Sequence, residues 1–351
     1  MSAIKLTIDG RPVEVEPGTT ILEAARKLGI DIPTFCHDPE LAPNGACRIC
    51  VVEVERARAL VASCCAPVAP DMVVHTESER VVKARKAILR LILANHPLDC
   101  ITCEKTGQCK LQDYCYRYGI SESDFEGEVK ELPLDDTNPF YIRDMNKCIL
   151  CGRCVGRCQE INGAGAIDFI GRGFSTIVGP AFGDPIEESS CVFCGMCVDV
   201  CPVGALIPKA GVGKGRPWEV EKVKTICPYC GTGCSIYLHV KDGRIIGASP
   251  DFEGPVNRGH LCSKGRFGWD FVHSEERLTR PLIKKDGVFV EASWDEALDL
   301  VAEKVRDLLN RYGPDSLMGH SSAKTSNEDN YLFQKLMRSL GTNNVDHCAR
   351  L

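Results

Sequence analysis

CILCGRCVGRC (148–158) and CVFCGMCVDVCP (191–202) decide what kind of molecule this is. Each stretch spaces its cysteines as C-x2-C-x2-C-x3-C. Three thiolates two residues apart can grip one [4Fe–4S] cubane from a tight loop, while the x3 step carries the fourth toward a second cubane. Two copies therefore predict a crossed pair of clusters. Cys148, Cys151, Cys154 and Cys201 hold one, and Cys191, Cys194, Cys197 and Cys158 hold the other. The copies differ in one respect: Pro202 follows the second, whereas Gln159 follows the first and opens an insert over 159–190.

Working outward, the chain has 351 residues and 22 cysteines, with net charge −6 from 42 basic and 48 acidic side chains. That balance offers nothing to a polyanion, so nucleic acid is not an expected partner. The longest apolar run, AILRLILA (87–94), is short and interrupted by Arg90, so no membrane span is expected. MSAIKLTIDG lacks the succession of a signal peptide. A soluble, cytoplasmic protein is expected, in which thiols survive as ligands for soft metals rather than as disulfides. Zinc and iron–sulfur clusters are the contenders.

Along the chain, 4–15 reads as strand, Asp9-Gly10 turn, strand. PGTTILEAARKLG (17–29) follows as a short helix with Thr19 or Thr20 as N-cap and Gly29 as stop. With the cysteine loop behind them these make a small α+β domain over 1–77. Residues 78–95 form a second helix, apolar along one face and ended by Pro97. Residues 121–138 are acidic and read as a surface connection, and 211–224 as a linker. A hairpin turning at Asp242-Gly243 is expected over 235–249. Helix (295–312), strand (316–319) and helix (327–340) begin an α/β domain.

Three further ligand groups follow. Cys36, Cys47, Cys50 and a cysteine of SCC (63–65) form the first. Cys64 and Cys65 are adjacent, so along an extended chain only one points inward. A zinc loop or buried free thiols is the competing explanation. HPLDCITCEKTGQC (96–109) supplies His96, Cys100, Cys103 and Cys109, a set that suits zinc as well as a [4Fe–4S] cluster. The plainer explanation of His96 is a helix C-terminal residue favoured by the dipole. CPYCGTGC (227–234) with LCSKGRFG (261–268) supplies Cys227, Cys230, Cys234 and Cys262. Gly231 and Gly233 are expected where a Cβ would collide with a cubane. Lys264 follows two residues after Cys262 and stands either beside the cluster or as an ordinary exposed lysine. Cys65, Cys115 and Cys348 remain as non-ligands.

Taken together, these motifs resemble known families along essentially the whole chain. The first group resembles the plant-type [2Fe–2S] arrangement, although its spacing departs from C-x4-C-x2-C. Alignment of SCCAPV with the Ala-Cys-x-x-Pro signature of related domains selects Cys64. The first 210 or so residues resemble the electron-relay region shared by the large subunit of NADH:quinone oxidoreductase, iron-only hydrogenases and some formate dehydrogenases. From ICPYCGTGC onward, with VNRGHLCSKGRFGWDFVHSEERLTRPLI, SSAKTSNEDNYLFQKLMRSLGTNN and NNVDHCARL, the chain resembles cytosolic molybdenum- or tungsten-bis-pterin formate dehydrogenase alpha (catalytic) subunits.

The resemblance implies a multidomain α+β fold. It runs from a β-grasp [2Fe–2S] ferredoxin-like domain (1–77) through a [4Fe–4S] domain with one histidine and three cysteine ligands (78–120). A bacterial ferredoxin domain with two [4Fe–4S] clusters (138–210) comes next. The [4Fe–4S] domain of the dimethyl sulfoxide reductase superfamily (220–278) and the start of its α/β pterin-binding domain (279–351) complete it. One [2Fe–2S] and four [4Fe–4S] clusters are implied, with a Mo- or W-bis-pterin guanine dinucleotide in the full-length protein. The implied reaction is interconversion of formate and carbon dioxide. Lys264 lies on the electron path between cluster and pterin, and the electron partner is a flavin- and NAD(P)-binding diaphorase-type subunit, a hydrogenase subunit or a ferredoxin.

In that family DHCAR-L is followed at once by a metal-binding selenocysteine or cysteine and then a histidine. The resemblance thus implies an N-terminal portion of a selenocysteine-type subunit, read up to a UGA codon after Leu351 and inactive by itself. A different codon, or a frame without a His-Ser-like continuation, contradicts this. Two rival readings are a pterin-free electron-transfer subunit and a relay protein complete at Leu351. Iron-only hydrogenase fits less well, because CPYCGTGC followed by LCSKGR is foreign to its catalytic domain.

Overall fold

The computed structural model divides into two compact units, Met1–Val220 and Glu221–Leu351, of which residues 3–349 are described. Arg350 and Leu351 of the terminal NNVDHCARL run lie outside the described residues.

In the first unit, Ile4–Ile8 and Arg11–Val15 pair antiparallel. Asp9 and Gly10 both adopt positive φ (47° and 76°), as the tight turn between twisted strands demands. Ile4–Ile8 also pairs parallel with Val73–His75, and Val51–Val54 and Val61–Ala62 complete a five-stranded mixed sheet. The helix Ile21–Lys27 starts at Thr20, whose hydroxyl accepts from the Glu23 N–H at 3.2 Å while Glu23 accepts from the Thr20 N–H at 2.8 Å. It buries Ile21, Leu22, Ala24 and Ala25 on the sheet residues Leu6, Ile8, Val52 and Val74, and Cys50 and Cys64 belong to this same core. This is the expected β-grasp arrangement, and it seats two of the thiols in a dry interior.

The helix Glu79–Leu93, capped by Ser78, buries Val81, Leu89 and Leu93. Its face is not wholly apolar. Arg85, completely buried, forks to Glu77 (2.8 Å), the Tyr118 hydroxyl (2.7 Å) and the Val51 carbonyl (2.8 Å). A further helix, Lys110–Tyr118, was not anticipated. Leu111, Cys115 and Tyr118 give it one buried face, and Gly119, at φ 62°, ends it.

The twin-motif region is built from short pieces. Tyr141–Arg143 pairs with Leu206–Pro208, and the helices Arg153–Gly156 and Met196–Val200 begin just before each motif's third cysteine. The insert carries a small ribbon, Asp168–Ile170 with Ile177–Gly179. The expected surface connection over 121–138 has no regular element before Tyr141, yet its last residue Asn138 is buried and braces the Tyr141 backbone.

The expected linker over 211–224 is corrected on two counts. Arg216 donates to the carbonyls of Cys103 (2.7 Å) and Ile101 (2.9 Å), so this stretch is strapped onto the His96–Cys109 loop. In the second unit, Glu221–Ile226 is a strand, the edge of a three-stranded sheet with Ser235–Lys241 and Arg244–Pro250. Its alternating charges face solvent, which is why the pattern resembled a linker.

The expected hairpin turns at Asp242 and Gly243 (φ 50° and 73°). Beyond it lie a hairpin, Leu282–Lys285 with Val288–Glu291, and the helices Trp294–Tyr312 and Asn327–Ser339. The strand expected over 316–319 is Gly319–Ser321 instead, because Pro314–Ser316 closes a 3-10 turn after the helix. It pairs parallel with Val345–His347, a strand the sequence had not signalled. Trp294, Leu298, Val301, Leu332 and Leu336 are exposed. Among the described residues no helix is long and apolar enough to cross a membrane.

Candidate metal centres

None of the 22 cysteines is in a disulfide. Cys36, Cys50 and Cys64 are buried and Cys47 is half-buried. The Cys50 and Cys64 sulfurs lie 3.3 Å apart. Hydrogen bonds from Cys47 and then Cys64 pull the Cys36 thiol far below its ordinary value, while Cys64 is pushed up by its bonds to Cys36 and Cys50. Cys50 is drawn down to about 6, chiefly by Cys64.

The extended-chain reason for choosing between Cys64 and Cys65 does not hold. Residues 63–65 form a turn, so both sulfurs reach the same side, 3.5 Å apart. Exposure separates them: Cys64 is buried and Cys65 exposed. The Cys65 sulfur lies over Gly45, at φ 59°, where an added Cβ would meet it at 2.8 Å.

His96, Cys100 and Cys109 line one cavity of about 200 Å³. The His96 Nδ1 is buried without a hydrogen-bond partner. Burial pulls this imidazole below its ordinary value, which favours the neutral, ligating form. Cys103 does not line that cavity; its sulfur abuts Gly204, 2.8 Å from where a Cβ would stand. Cys115, set aside on sequence, does line it, and burial pushes its thiol up to about 11.

The twin motifs give the most pointed geometry. Cys148, Cys151, Cys154 and Cys201 line one cavity. Cys158, Cys191, Cys194 and Cys197 line a second. Cys197 and the buried Tyr141 border both, and the Tyr141 hydroxyl lies 3.9 Å from the Cys191 sulfur. Burial pushes Cys148 to about 11 and Cys151 to about 12. An unliganded thiolate is costly in such a place, whereas bound iron stabilises that form. The donor sets therefore fit clusters.

In the second unit the Cys227 N–H donates to the Cys234 carbonyl at 2.8 Å, closing the CPYCGTGC loop. Cys227, Cys230, Cys234 and Cys262 sit within one another's electrostatic reach, and burial raises Cys227 and Cys234. Gly233 supplies φ 68° with open space around it, and Gly231 donates to the Ala323 carbonyl at 2.7 Å. The intimate glycine is Gly265, where a Cβ would meet the Cys227 sulfur at 3.3 Å. Lys264 is exposed on the short helix Ser263–Phe267. It helps lower the Cys230 thiol, after the larger effect of the Thr232 hydrogen bonds. Among the described residues no three His, Cys, Asp or Glu side chains converge on one bare-ion position. A cluster, with several irons and sulfides between its thiolates, asks for wider spacing.

One network lay outside the sequence reading. Asp38, two residues beyond Cys36, accepts from Arg157 at 3.0 and 2.6 Å and from Arg153 at 3.2 Å. Arg157 also bonds Glu40, and the Ala42 N–H donates to Glu160 at 3.1 Å. The Cys36–Cys47 loop is thereby fastened to the segment bearing Cys154 and Cys158. An arginine before each of those cysteines was visible, but not its partner.

Five family descriptions match consecutive segments. They are the 2Fe-2S iron-sulfur cluster binding domain (1–79), the NADH-ubiquinone oxidoreductase-G iron-sulfur binding region (85–124) and the NADH-quinone oxidoreductase subunit 3 ferredoxin-like domain (138–207). The molybdopterin oxidoreductase Fe4S4 domain (220–274) and molybdopterin oxidoreductase (277–351) follow. Segment by segment, the chain is similar to iron–sulfur subunits of NADH-quinone oxidoreductase G and molybdopterin oxidoreductase type. The G 2 subunit of NADH-quinone oxidoreductase from Rhizobium meliloti is 42% identical over 350 residues, 99% of this chain and 40% of that protein. A Staphylococcus aureus protein provisionally named a formate dehydrogenase is 36% identical over 388 residues, 98% of this chain and 39% of that one. A solved chain of an NAD+-reducing [NiFe]-hydrogenase superposes with TM-score 0.56 at 33% identity, covering 60% of this chain and 90% of its own. The chain spans about 40% of the length of the curated relatives it matches.

Proposed function

We propose that this chain is the iron–sulfur relay of a formate dehydrogenase catalytic subunit carrying a Mo- or W-bis-pterin guanine dinucleotide. The observation that carries the relay is the crossed lining of the two cavities, Cys201 among the first motif's cysteines and Cys158 among the second's. When bound, iron–sulfur clusters supply one-electron couples whose potentials follow ligand type, burial and hydrogen bonding.

The residues divide the work. Cys36, Cys47, Cys50 and Cys64 hold a [2Fe–2S] centre, and His96, Cys100, Cys103 and Cys109 hold a [4Fe–4S] centre. The crossed sets and the group Cys227, Cys230, Cys234 and Cys262 hold three more. Lys264 provides a positive charge beside the last set, toward the pterin. The domain limits 1–77, 78–120, 138–210, 220–278 and 279–351 form part of this proposal. Thiols outside any disulfide suit a reducing cytoplasm. An NAD(P)-linked flavin subunit, hydrogenase subunit or ferredoxin serves as electron partner, a reading supported by the likeness to the NAD+-reducing hydrogenase.

A pterin-free electron-transfer subunit is the second reading, favoured by the 42% identity to the Rhizobium meliloti protein. Metal analysis and formate-dependent viologen reduction on the protein purified anaerobically from its native cells separate the two. The proposal expects iron near about eighteen atoms per chain, two plus four fours, with molybdenum or tungsten and formate activity. Iron without either metal would favour the second reading, and zinc in place of iron would end both.

A further inference from the structure

Lys147 immediately precedes Cys148, and its side chain is 13% exposed. Its ammonium lies 2.7 Å from Asp99, the neighbour of Cys100, and 3.4 Å from Asp144. Its stem runs past Gly204, three residues beyond Cys201. A Cβ there would meet the Cys103 sulfur at 2.8 Å and the Lys147 Cδ at 3.4 Å. The Asp144 N–H donates to the Ala205 carbonyl and the Lys110 N–H to the Pro202 carbonyl, both at 2.9 Å, so the segments are sewn together at this point. The His96 loop, the Cys148 turn and the stretch after Cys201 thus meet around Lys147, with the Lys105 stem also beside Gly204. Glycine at 204 is what lets Cys103 and Lys147 come so near.

We propose that Lys147 is a positioning residue that sets the reduction potentials of two neighbouring centres together, the one on His96, Cys100, Cys103 and Cys109 and the one on Cys148, Cys151, Cys154 and Cys201. Reduction adds a negative charge to a centre, and an ammonium carried by the residue before Cys148 and held at Asp99, the residue before Cys100, favours the reduced form of each. Asp99 and Asp144 hold the ammonium in place and offset part of its field. The inference rests on the ligand sets proposed above.

The test is an electron-paramagnetic-resonance redox titration of the whole protein, wild type against Lys147→Met, Lys147→Arg and Asp99→Asn. Cys109→Ser and Cys201→Ser identify the two signals concerned. A wild type without these signals would defeat the ligand sets themselves. With the signals present, Lys147→Met should lower both midpoints, by about tenfold in the one-electron equilibrium, or 59 mV. Lys147→Arg should restore them, and Asp99→Asn should shift both the other way. Unchanged midpoints, a shift in only one centre, or loss of about four irons from the Met variant would overturn the role.

Discussion

Replacing Asp38 by Asn should loosen the first unit substantially. The Asp38 side chain is fully buried, and the Arg157 and Arg153 side chains are 4% and 15% exposed. Asn keeps the shape but leaves Arg153 without a counter-charge and Arg157 with Glu40 alone. Removing one partner of a buried ion pair costs about 3–5 kcal/mol. In a unit of this size each kcal/mol is worth about 2–4 °C, so the melting temperature should fall by about 6–20 °C.

Differential scanning calorimetry of the anaerobic, iron-loaded protein measures this. Arg157→Met completes the cycle: with both charges gone the buried site is nearly neutral, so the double variant should lose less than the two single losses added. A melting temperature within about 2 °C of wild type for Asp38→Asn, or strict additivity, would refute the reasoning. The pH sign follows as well. Burial pushes the Asp38 carboxyl up, but the Arg157 hydrogen bonds and the other partners together outweigh it and hold it below its usual value. Its contribution is therefore complete above the unfolded value of about 3.9 and fades as pH falls below it.

Three other outcomes are expected. Burial lowers His239 to about 4, so up to about 3 kcal/mol of stability should disappear as pH falls from about 6.5 to about 4; denaturation followed by the buried Trp269 should show the loss in wild type and not in His239→Gln. Arg85→Met should cost about 3 kcal/mol, because the Tyr118 hydroxyl and Val51 carbonyl lose their donor inside the protein; a urea midpoint checks it, and lysine should not rescue, having no fork. Cys158→Ser should abolish the same paramagnetic signal as Cys191→Ser, and Cys201→Ser the same as Cys148→Ser, each with loss of about four irons; the opposite pairing would mean uncrossed ligation.

The reach of sequence reading varied with the kind of residue. Thiols spaced two apart must share a loop, and the cysteines grouped by that spacing line two cavities, with Cys201 beside the first motif's set and Cys158 beside the second's. Caps and turns were equally legible, since Thr20, Asp9-Gly10 and Asp242-Gly243 act on their own backbone. Where chain direction was assumed, the reasoning slipped: the turn at 63–65 brings both Cys64 and Cys65 to one side. The Lys110–Tyr118 helix does carry a local signal, Leu111, Cys115 and Tyr118 at helical spacing before Gly119, directly after the Cys100–Cys109 motif.

Sequence alone determined where thiols recur at short spacing and which groupings they suggest, because those depend on side-chain chemistry and on separations of a few residues. Tertiary structure alone decided what surrounds the groups: Asp38 under Arg157, Arg216 across the Cys100–Cys103 loop, Lys147 and Gly204 between two sets of ligands. Charge partners and close approaches between residues tens of positions apart leave no local periodicity. They arise only when the folded chain excludes water and makes an unpaired charge or an added methyl group costly.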